Sequence, residues 1–485
     1  MAADASQNGT AAKDNNNNNS NNTIHHHHNT IAIIGAGPAG LTLGNLLHKH
    51  AIPFTIFERR PRPASLDELT RQPSGFLDLH EESGLAALRA CGGGELYEQF
   101  RAVTGECSQA DRVYDHEGQL LHASGSGEVE GYGQGGRGGE FGEDRPEVSR
   151  AWLTKILLEA LPADTIRWEH KLLSVSEVEN SSSSSNNKLV ALDFGPEHGR
   201  HSFPFVVGAD GAWSRVRNLL TDVKPAYAGQ QYISATARGL SSRNEQQQGQ
   251  GQDRRSGLAD LVGTGSMMAL GQRNGVISHR NTVQDTAVMY IVVDAPGQED
   301  WAESTGLSRM TTAEAGKVLV GEDGVFGKWG DALKRLVLAG CEDESVHGIT
   351  EEGKVGSDKT GQKLLDVKPM YTLPVGHRWA HHPRATVIGD AAHLMGPWAG
   401  EGVNTAMQDA LELAEAIVGA VRGSEGRDIS EESLSPRVEK FELGMWERAA
   451  EKAGESERNG KLMFGSDHGG RALAAMFKSF GPPPQ

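Results

Sequence analysis

The feature that most constrains this chain is the stretch of residues 31–58, which reads IAIIGAGPAGLTLGNLLHKHAIPFTIFE. Four apolar residues predict a buried strand, and the GAGPAG that follows predicts a sharp turn into a helix. In such a turn Gly35 permits the tight bend, Gly37 lets the backbone approach a pyrophosphate, and Gly40 lets helix and strand pack closely. Glu58 ends a second apolar run, in the position of an acid that accepts from a ribose hydroxyl. The stretch therefore predicts a dinucleotide at a helix N-terminus; the alternative is a plain glycine-rich turn.

Composition and net charge limit the kinds of partner that the protein is expected to bind. The 485 residues carry a formal net charge of -17 without a basic stripe, which argues against a nucleic-acid or anionic membrane surface. Cys91, Cys107 and Cys341 lack CxxC spacing, so we expect neither a disulfide framework nor a metal site. The longest apolar run is too short to span a bilayer, and the Asn-rich first thirty residues lack the features of a signal peptide. We expect a cytoplasmic protein without membrane insertion, as a monomer or weak homodimer.

Low-complexity segments and changes of pattern suggest how the chain is divided. The N-terminal residues are rich in Asn and include four consecutive histidines, a composition that favours a disordered tail over a metal-binding tract. A βα pattern then gives way to short β-like runs with two helical patterns, which indicates an α/β fold with an interleaved sheet domain. The expected division is a disordered tail over residues 1–29, a discontinuous Rossmann-like cofactor-binding domain over 30–225 and 372–425, a β-sheet substrate-binding domain over 226–371 with a low-complexity insertion at 241–256, and a C-terminal helix and tail over 426–485.

Two further glycine-rich motifs follow predicted strands. GADG contains Asp210, and GDAAH contains Asp390. A loop after the second motif leads into an amphipathic helix that begins near Val403 and points its free N–H groups back at the loop. Arg150 similarly stands at the start of a predicted helix, where it can hold either a phosphate or a surface carboxylate. These motifs predict a second point of attachment for the dinucleotide.

The combination of GAGPAG, GADG and GDAAH resembles the class A flavoprotein monooxygenases, the para-hydroxybenzoate hydroxylase-like group with a single Rossmann domain. Arg71, the run from Asp78 to His80, PEVSRAWLTKILLEAL and IGDAAHLMGPWAGEGVNTAMQDAL look most like the tetracycline-inactivating flavin monooxygenases. The likeness extends over residues 30–464. It implies bound FAD, with NADPH or NADH as a transient co-substrate, because a second dinucleotide fingerprint is absent from the sequence.

The resemblance also implies where the cofactor is held. Asp390 corresponds to an acid that binds the ribityl or phosphate region of FAD, and the loop with Pro397, Gly400 and Gly402 corresponds to backbone near the isoalloxazine. The other implied cofactor residues are Asp78, Arg150, Gly402 and Val403. Asp210 matches the acid of a motif implicated in both cofactors, and its first expected role is structural. Arg71 corresponds to a contact for NADPH, with a solvated charged loop as the alternative. The cofactor carries the difficult chemistry, so the resemblance implies no protein nucleophile and no metal, and no catalytic base is nominated.

The chemistry implied by the resemblance is insertion of one oxygen atom from O2, by hydroxylation or epoxidation, through a flavin C4a-hydroperoxide. The expected substrate is an aromatic or polyketide-like small molecule, since Asn-, Ser- and Gln-rich insertions suggest a fungal enzyme of secondary metabolism. A flavin-dependent halogenase or reductase on the same fold is an alternative, although the halogenase stretch WxWxIP is absent from the sequence. A non-catalytic dinucleotide-binding regulator is the alternative from another class.

The expected substrate residues depart from the tetracycline-inactivating pattern. Ser234 stands where the pattern has Gln, Ser266 where it has Arg, and Met289 where it has His. Loss of three polar anchors weakens recognition of a polyfunctional antibiotic, so tetracycline inactivation is not predicted. The residues expected to line a more apolar pocket, or alternatively to belong to the core, are Ser266, Met267, Met268, Met289 and Tyr290.

Overall fold

The structure of the protein is a computed structural model that describes residues 24–71, 73–92, 94–104, 108, 110–124, 146–179, 188–241, 255–347, 357, 361–423 and 429–479. The expected tail before residue 24, residues 242–254 of the expected insertion, and Cys107 lie outside the described residues.

Strands and helices are interspersed along the described chain. The strands are β1 Ile24–His26, β2 Ile31–Ile34, β3 Phe54–Phe57, β4 Phe76–Asp78, β5 Asp111–Asp115, β6 Leu120–Ala123, β7 Glu147–Ser149, β8 Ile166–Arg167, β9 Ser174–Glu179, β10 Lys188–Asp193, β11 Arg200–Phe203, β12 Phe205–Gly208, β13 Ala226–Arg238, β14 Ser266–Gly271, β15 Asn274–Asn281, β16 Thr286–Asp294, β17 Val367–Thr372 and β18 Ala385–Val387. The helices are α1 Pro38–Lys49, α2 Leu66–Arg71, α3 Gly84–Cys91, α4 Glu95–Val103, α5 Arg150–Glu159, α6 Arg217–Leu220, α7 Leu258–Val262, α8 Trp301–Ser304, α9 Thr312–Val320, α10 Asp331–His347, α11 Asp390–His393, α12 Gly402–Gly423, α13 Glu431–Phe464 and α14 Gly469–Ser479. Two short 3-10 helices are Leu307–Arg309 and Pro397–Ala399. None of the described helices is long and apolar enough to cross a membrane.

A five-stranded sheet in the order β18-β12-β2-β3-β8 forms the Rossmann-like part of the molecule. Its neighbouring strands are all parallel. Strands of a parallel sheet are buried on both faces and are therefore apolar throughout, as in β2, where every residue is at most 3% exposed. Helix α1 packs against α3, α5 and α12, so one core unites segments that are far apart in sequence. The expected α/β fold with a Rossmann-like domain is confirmed.

A seven-stranded sheet in the order β17-β13-β16-β15-β14-β5-β6 forms the other large layer. Neighbouring strands are antiparallel except for β14 and β5. Helix α10 covers one face, packed beside α9, while α13 and α14 reach strands at the β5 and β14 end. Strands β5 and β6 come from the segment 30–225 that was expected to bind the cofactor. That segment thus contributes two strands to this sheet, because β5 pairs with β14.

Residues 24–26 form a strand, which departs from the disordered tail expected over residues 1–29. Strand β1 pairs in parallel with β11 at the edge of a four-stranded sheet, β1-β11-β10-β9. The His27 ring stacks on Phe203 with centroids 4.5 Å apart, and its Nε2 lies 3.1 Å from His201 Nδ1. The histidines here pack as flat aromatic groups, which composition alone does not reveal. No group of three or more potential metal ligands is found among the described residues.

Candidate cofactor and substrate site

The glycines of the first motif have different structural reasons for being glycine. Gly35 has φ of +106°, and a Cβ there would lie 2.3 Å from the Ala209 carbonyl oxygen. A Cβ at Gly40 would lie 2.0 Å from the Gly35 carbonyl oxygen, so these two positions tolerate no side chain. A Cβ at Gly37 would meet no atom of the described residues within 4 Å. The backbone of Gly37 therefore borders open space at the N-terminus of α1, which fits a pyrophosphate.

Glu58 braces this glycine turn. Its carboxylate accepts hydrogen bonds from the Ala36 N–H at 2.8 Å and from the Arg60 N–H and Nε at 2.9 Å. Burial acts to raise the pKa of Glu58, but these hydrogen bonds outweigh it and hold the pKa below its ordinary value. The carboxylate is therefore ionised at neutral pH. Its contact with a ribose stays a prediction.

The second glycine motif places Asp390 at the start of α11. Solvent reaches the Asp390 side chain, yet the protein atoms around it desolvate the carboxyl and raise its pKa, against the opposing charges of His393 and Arg150. The charge of Arg150 also lowers the pKa of Tyr290, which burial raises. Arg150 thus acts on Asp390 of α11 and on Tyr290 of β16. The space between these two groups is here called the cleft.

A buried network beneath the GDAAH motif holds it against the helices. The Asp409 carboxylate, which is fully buried, accepts from the Gly389 N–H at 3.0 Å and from Arg448 at 2.9 Å. His393 Nε2 lies 2.6 Å from the same carboxylate. Burial opposes both shifts, but the mutual charges lower the pKa of Asp409 and raise the pKa of His393. His393 therefore holds the loop rather than facing the cleft.

Asp409 and Arg448 were missed at the level of sequence. The signal that could have revealed Asp409 is a carboxylate within the apolar stripe of α12, since a buried charge requires partners. The partners themselves come from α11 and α13, and no local pattern connects those segments.

A second polar network leads from α13 toward the cleft. Lys452 Nζ lies 2.5 Å from Glu401, Glu401 lies 3.5 Å from His80 Nδ1, and His80 Nε2 lies 3.0 Å from Asp78. The Asn404 side chain donates to the Asp78 carbonyl and accepts from the His80 N–H, both at 2.9 Å. Asp78 is thereby fixed to the first turn of α12. The loop before this turn, which contains Pro397 and Gly400 and was expected near the isoalloxazine, is here called the cofactor loop.

The loop before α12 brings backbone close to Asp78. Gly400 has φ of +69°, and a Cβ there would lie 3.4 Å from Asp78 Oδ1. Pro397 begins the short 3-10 helix, and Gly402 begins α12 with Val403 as its second residue. The structure thus brings these loop residues together with Asp78. Their contact with an isoalloxazine stays a prediction.

The positions of Asp210 and Arg71 say less about cofactor binding. The Asp210 carboxylate accepts from the Ser214 hydroxyl at 2.5 Å and from the Arg215 N–H at 2.7 Å, so it braces its own loop. The buried Arg217 donates from this loop to the Ala391 carbonyl at 2.9 Å and ties two glycine motifs together. Arg71 is exposed at the end of α2. Its role in NADPH binding stays a prediction.

The register of the seven-stranded sheet decides which expected substrate residues face the cleft. Ser234 pairs with Tyr290, Tyr290 with Ile277, and Ile277 with Met268. Residues paired across strands lie on the same face, so Met268, Ile277 and Tyr290 form one line, here called the apolar row. A Cβ at Gly75, beside the start of α5, would lie 2.1 Å from Tyr290 Oη. The apolar row therefore faces the cofactor-binding part.

Met289 lies on the other face, in the core position that was the alternative to substrate contact. Side chains alternate along a strand, so Met289 points away from the cleft that its neighbour Tyr290 borders. Its side chain is 0% exposed, and its Sδ would lie 2.9 Å from a Cβ at Gly340 of α10. Met267 is buried in the same core. Met267 and Met289 thus lie in one core, whereas Met268 is partly buried on the opposite face and packs against the cluster that contains Phe464.

A second line of residues on the cleft face is polar, and sequence reasoning found only one of its members. Asp111 pairs with Ser266, and Ser266 pairs with His279. These three residues are here called the polar row. Ser266 Oγ lies 3.0 Å from His279 Nδ1. His279 was missed because nothing in its strand distinguishes it before the register is known.

This chain belongs to the FAD-dependent monooxygenases of class A. Residues 359–437 match the family model described as FAD binding domain, and residues 33–73 match that of the NAD(P)-binding Rossmann-like domain. Monooxygenase penA of Penicillium thymicola is 31% identical over 479 residues, which cover 93% of this chain and 98% of that protein. Monooxygenase asqM of Emericella nidulans is 30% identical over 419 residues, which cover 80% of this chain and 83% of that protein.

Solved structures share the fold. A salicylate hydroxylase substrate complex superposes with a TM-score of 0.59 at 18% identity and covers 93% of both chains. CtdE in complex with FAD and a substrate superposes with a TM-score of 0.63 at 16% identity, over 93% of this chain and 98% of that chain. The expected enzyme class is confirmed, with FAD as cofactor and a pyridine nucleotide as co-substrate. These relatives do not favour the halogenase, reductase or regulator alternatives.

Proposed function

We propose that this monooxygenase inserts one oxygen atom into a medium-sized, largely apolar aromatic or polyketide-like molecule that lies on the apolar row. The observation that carries the proposal is the register that presents Met268, Ile277 and Tyr290 on the face toward the cofactor motifs. Aromatic and thioether side chains suit a flat apolar substrate.

The loop before α12 and two residues of the apolar row belong to one hydrophobic cluster. Trp398, in the loop before α12, packs in the same cluster as Met268 and Ile277. Its ring centroid lies 4.7 Å from that of Phe464 at the end of α13. A substrate on the apolar row would thus lie beside the loop assigned to the isoalloxazine. Apolar walls exclude water there, which protects oxygen transfer from side reactions.

We assign the FAD contacts to residues whose surroundings fit the group. Gly37 and the N-terminus of α1 would hold the pyrophosphate, Glu58 the ribose, and Asp390 the ribityl region. Bound FAD supplies the oxygen chemistry once NAD(P)H has reduced it. The free N–H groups at Gly402 and Val403 would stabilise negative charge on the flavin ring. Asp78 and Arg150 complete the assignment, with Arg71 as a contact for NADPH.

The remaining expectations complete the proposal. A monomer or weak homodimer in the cytoplasm agrees with the net charge of -17 and the scattered cysteines. Gel filtration with light scattering gives the mass in solution, and a stable higher oligomer would contradict this part.

The test of the proposed function is oxygen labelling. The purified protein with FAD is supplied with NADPH or NADH and 18O2, and a panel of phenols, naphthols and aromatic polyketides is screened by mass spectrometry. We expect nucleotide oxidation stimulated by a substrate and a product that carries one 18O atom. Nucleotide oxidation that never yields labelled product from any apolar aromatic would contradict the proposed substrate class.

A further inference from the structure

The polar row is unusual for the place it occupies. Asp111, Ser266 and His279 lie side by side on three neighbouring strands, next to the apolar row on the same face. Polar groups withdrawn from water are costly unless they find hydrogen-bond partners. The hydrogen bond between Ser266 and His279 uses only one nitrogen of the imidazole, Nδ1. Among the described residues, no hydrogen bond joins the opposite edge of the ring, at Nε2.

Groups from several elements surround the polar row. The Phe76 ring of β4 lies 6.3 Å from the His279 ring, and the Tyr290 ring of β16 lies 6.4 Å away at 75°. The carboxylate of Asp78, at the end of β4, acts to raise the pKa of both His279 and Asp111. The polar row is therefore at the rim that approaches the cofactor motifs.

The surroundings of the polar row favour the neutral form of the His279 imidazole. Burial lowers the pKa of His279, and the Asp78 carboxylate only partly opposes this. Burial and the nearby Asp78 also raise the pKa of Asp111 to about 6. In the tautomer whose Nδ1–H donates to the Ser266 hydroxyl, Nε2 of a neutral His279 is an acceptor, whereas in the other tautomer Nε2–H is a donor. The first tautomer therefore presents a hydrogen-bond acceptor at Nε2.

We propose that the polar row is the specificity subsite of this enzyme, in which His279 donates Nδ1–H to Ser266 and accepts through Nε2 a hydrogen bond from an O–H or N–H group at one end of the substrate. The inference rests on the proposed function and names the chemistry of one end of its substrate. The aromatic body then lies along the apolar row, and the hydrogen bond fixes which end of the molecule approaches the cofactor. His279 is a positioning residue in this scheme.

The test uses a matched set of probes: 2-naphthol, 2-methoxynaphthalene and naphthalene. Their binding to the FAD-loaded enzyme is measured from the perturbation of the flavin absorbance spectrum. One neutral hydrogen bond contributes about 1.4 kcal/mol, or about tenfold in affinity. We expect 2-naphthol to bind about tenfold more tightly than 2-methoxynaphthalene. The ratio should fall to about one in His279→Leu and be partly retained in His279→Gln, whose amide can still accept.

Two controls make the outcome specific. Met289→Leu, on the opposite face of the sheet, should keep the tenfold ratio, and retained flavin absorbance in each variant reports an intact cofactor site. Acidification that protonates His279 should also lower the ratio; Asp78, Asp111, Tyr290 and Arg150 are the charged or titratable groups in its surroundings, so Asp111→Asn is profiled in parallel. A pH profile that moves with Asp111→Asn and not with His279→Gln would overturn the assignment to His279.

The possible failures are distinguishable. Equal affinity of the wild-type enzyme for 2-naphthol and 2-methoxynaphthalene would overturn the subsite while leaving the apolar row intact. A tenfold ratio that persists in His279→Leu would also overturn it. If the wild-type enzyme binds none of the three probes, the apolar pocket of the proposed function fails as well.

Discussion

The proposed cofactor cradle, formed by Gly35, Gly37 and Gly40, and the proposed substrate face, formed by the apolar row and the polar row, are built in different ways. The cradle is mostly backbone: Gly35 and Gly40 are glycine because a Cβ would collide with carbonyl oxygens, and Gly37 borders open space. The substrate face is made of side chains from strands that are distant in sequence, and strand register alone decides which of them point into the cleft. A local motif therefore reveals the cofactor, while the substrate chemistry depends on long-range pairing.

The largest effect is expected from filling the cradle. Gly37→Glu places a charged side chain in the open space assigned to the pyrophosphate, and we expect FAD affinity to fall by at least about 100-fold. Flavin content after purification and titration of the apoprotein with FAD measure the loss.

Gly35→Ala is the matched comparison for this cradle prediction. Its Cβ would lie 2.3 Å from a carbonyl oxygen and its φ is positive, so it should destabilise the apoprotein itself. Gly37→Glu should leave the thermal unfolding of the apoprotein almost unchanged. Full flavin content in Gly37→Glu would show that the cradle is not the pyrophosphate site.

The next effect concerns the network that holds the second glycine motif. Asp409→Asn removes a fully buried charge that serves Gly389, His393 and Arg448. We expect a loss of about 3–5 kcal/mol in the free energy of unfolding, because the partner charges remain buried. Urea unfolding measures it, with Glu412→Gln, the more exposed partner of Arg448, as the milder control.

The pH dependence of this network has a defined sign. The pKa of Asp409 is lowered in the folded state, so its contribution is present above the unfolded pKa and is lost as pH falls through the folded pKa. The pKa of His393 is raised, so its contribution is complete below the unfolded pKa and is lost as pH rises through the folded pKa. The difference between wild type and Asp409→Asn should therefore be greatest between these limits. A difference independent of pH would contradict the ion pair.

A smaller loss is expected in the core of the seven-stranded sheet. Met289→Ala leaves a cavity against α10 and should cost about 2–4 kcal/mol of stability. Because the side chain faces away from the cleft, the relative rates with different substrates should not change. Chemical unfolding and competition between two substrates measure these two properties. Altered substrate preference in a variant that keeps its flavin would place Met289 in the cleft after all.

The smallest effect on stability is expected far from either site, at His27, which follows β1, and His201 of β11. Burial, followed by the neighbouring histidines, lowers the pKa of His27 and of His201 in the folded state. The stability that the neutral pair contributes is present above the unfolded pKa of about 6.5 and is lost as pH falls through the folded pKa. We expect a fall in Tm of at most about 4 °C on acidification, reduced in His27→Gln. An identical pH profile in His27→Gln would contradict the assignment.

The parts of the candidate site that could be predicted from the sequence differ in the same way between the cofactor cradle and the substrate face. Gly35, Gly37 and Gly40 could be recognised because a few consecutive residues define their turn. The sequence left open whether Met289 lines the pocket or belongs to the core, because a shift of one residue in a strand exchanges the two faces of a sheet. His279 was missed since only the pairing of β14 with β15 brings it to Ser266. Asp409 was missed for a related reason, as its partners come from other helices.

The central claim is that register selects the substrate residues independently of the cofactor motifs. Its most direct test compares two neighbouring variants, Tyr290→Leu and Met289→Leu, for flavin content and for relative kcat/KM on two aromatic substrates of different shape. The account predicts full flavin content in both variants and a changed substrate ratio in Tyr290→Leu alone. A changed ratio in Met289→Leu with an unchanged ratio in Tyr290→Leu would contradict it.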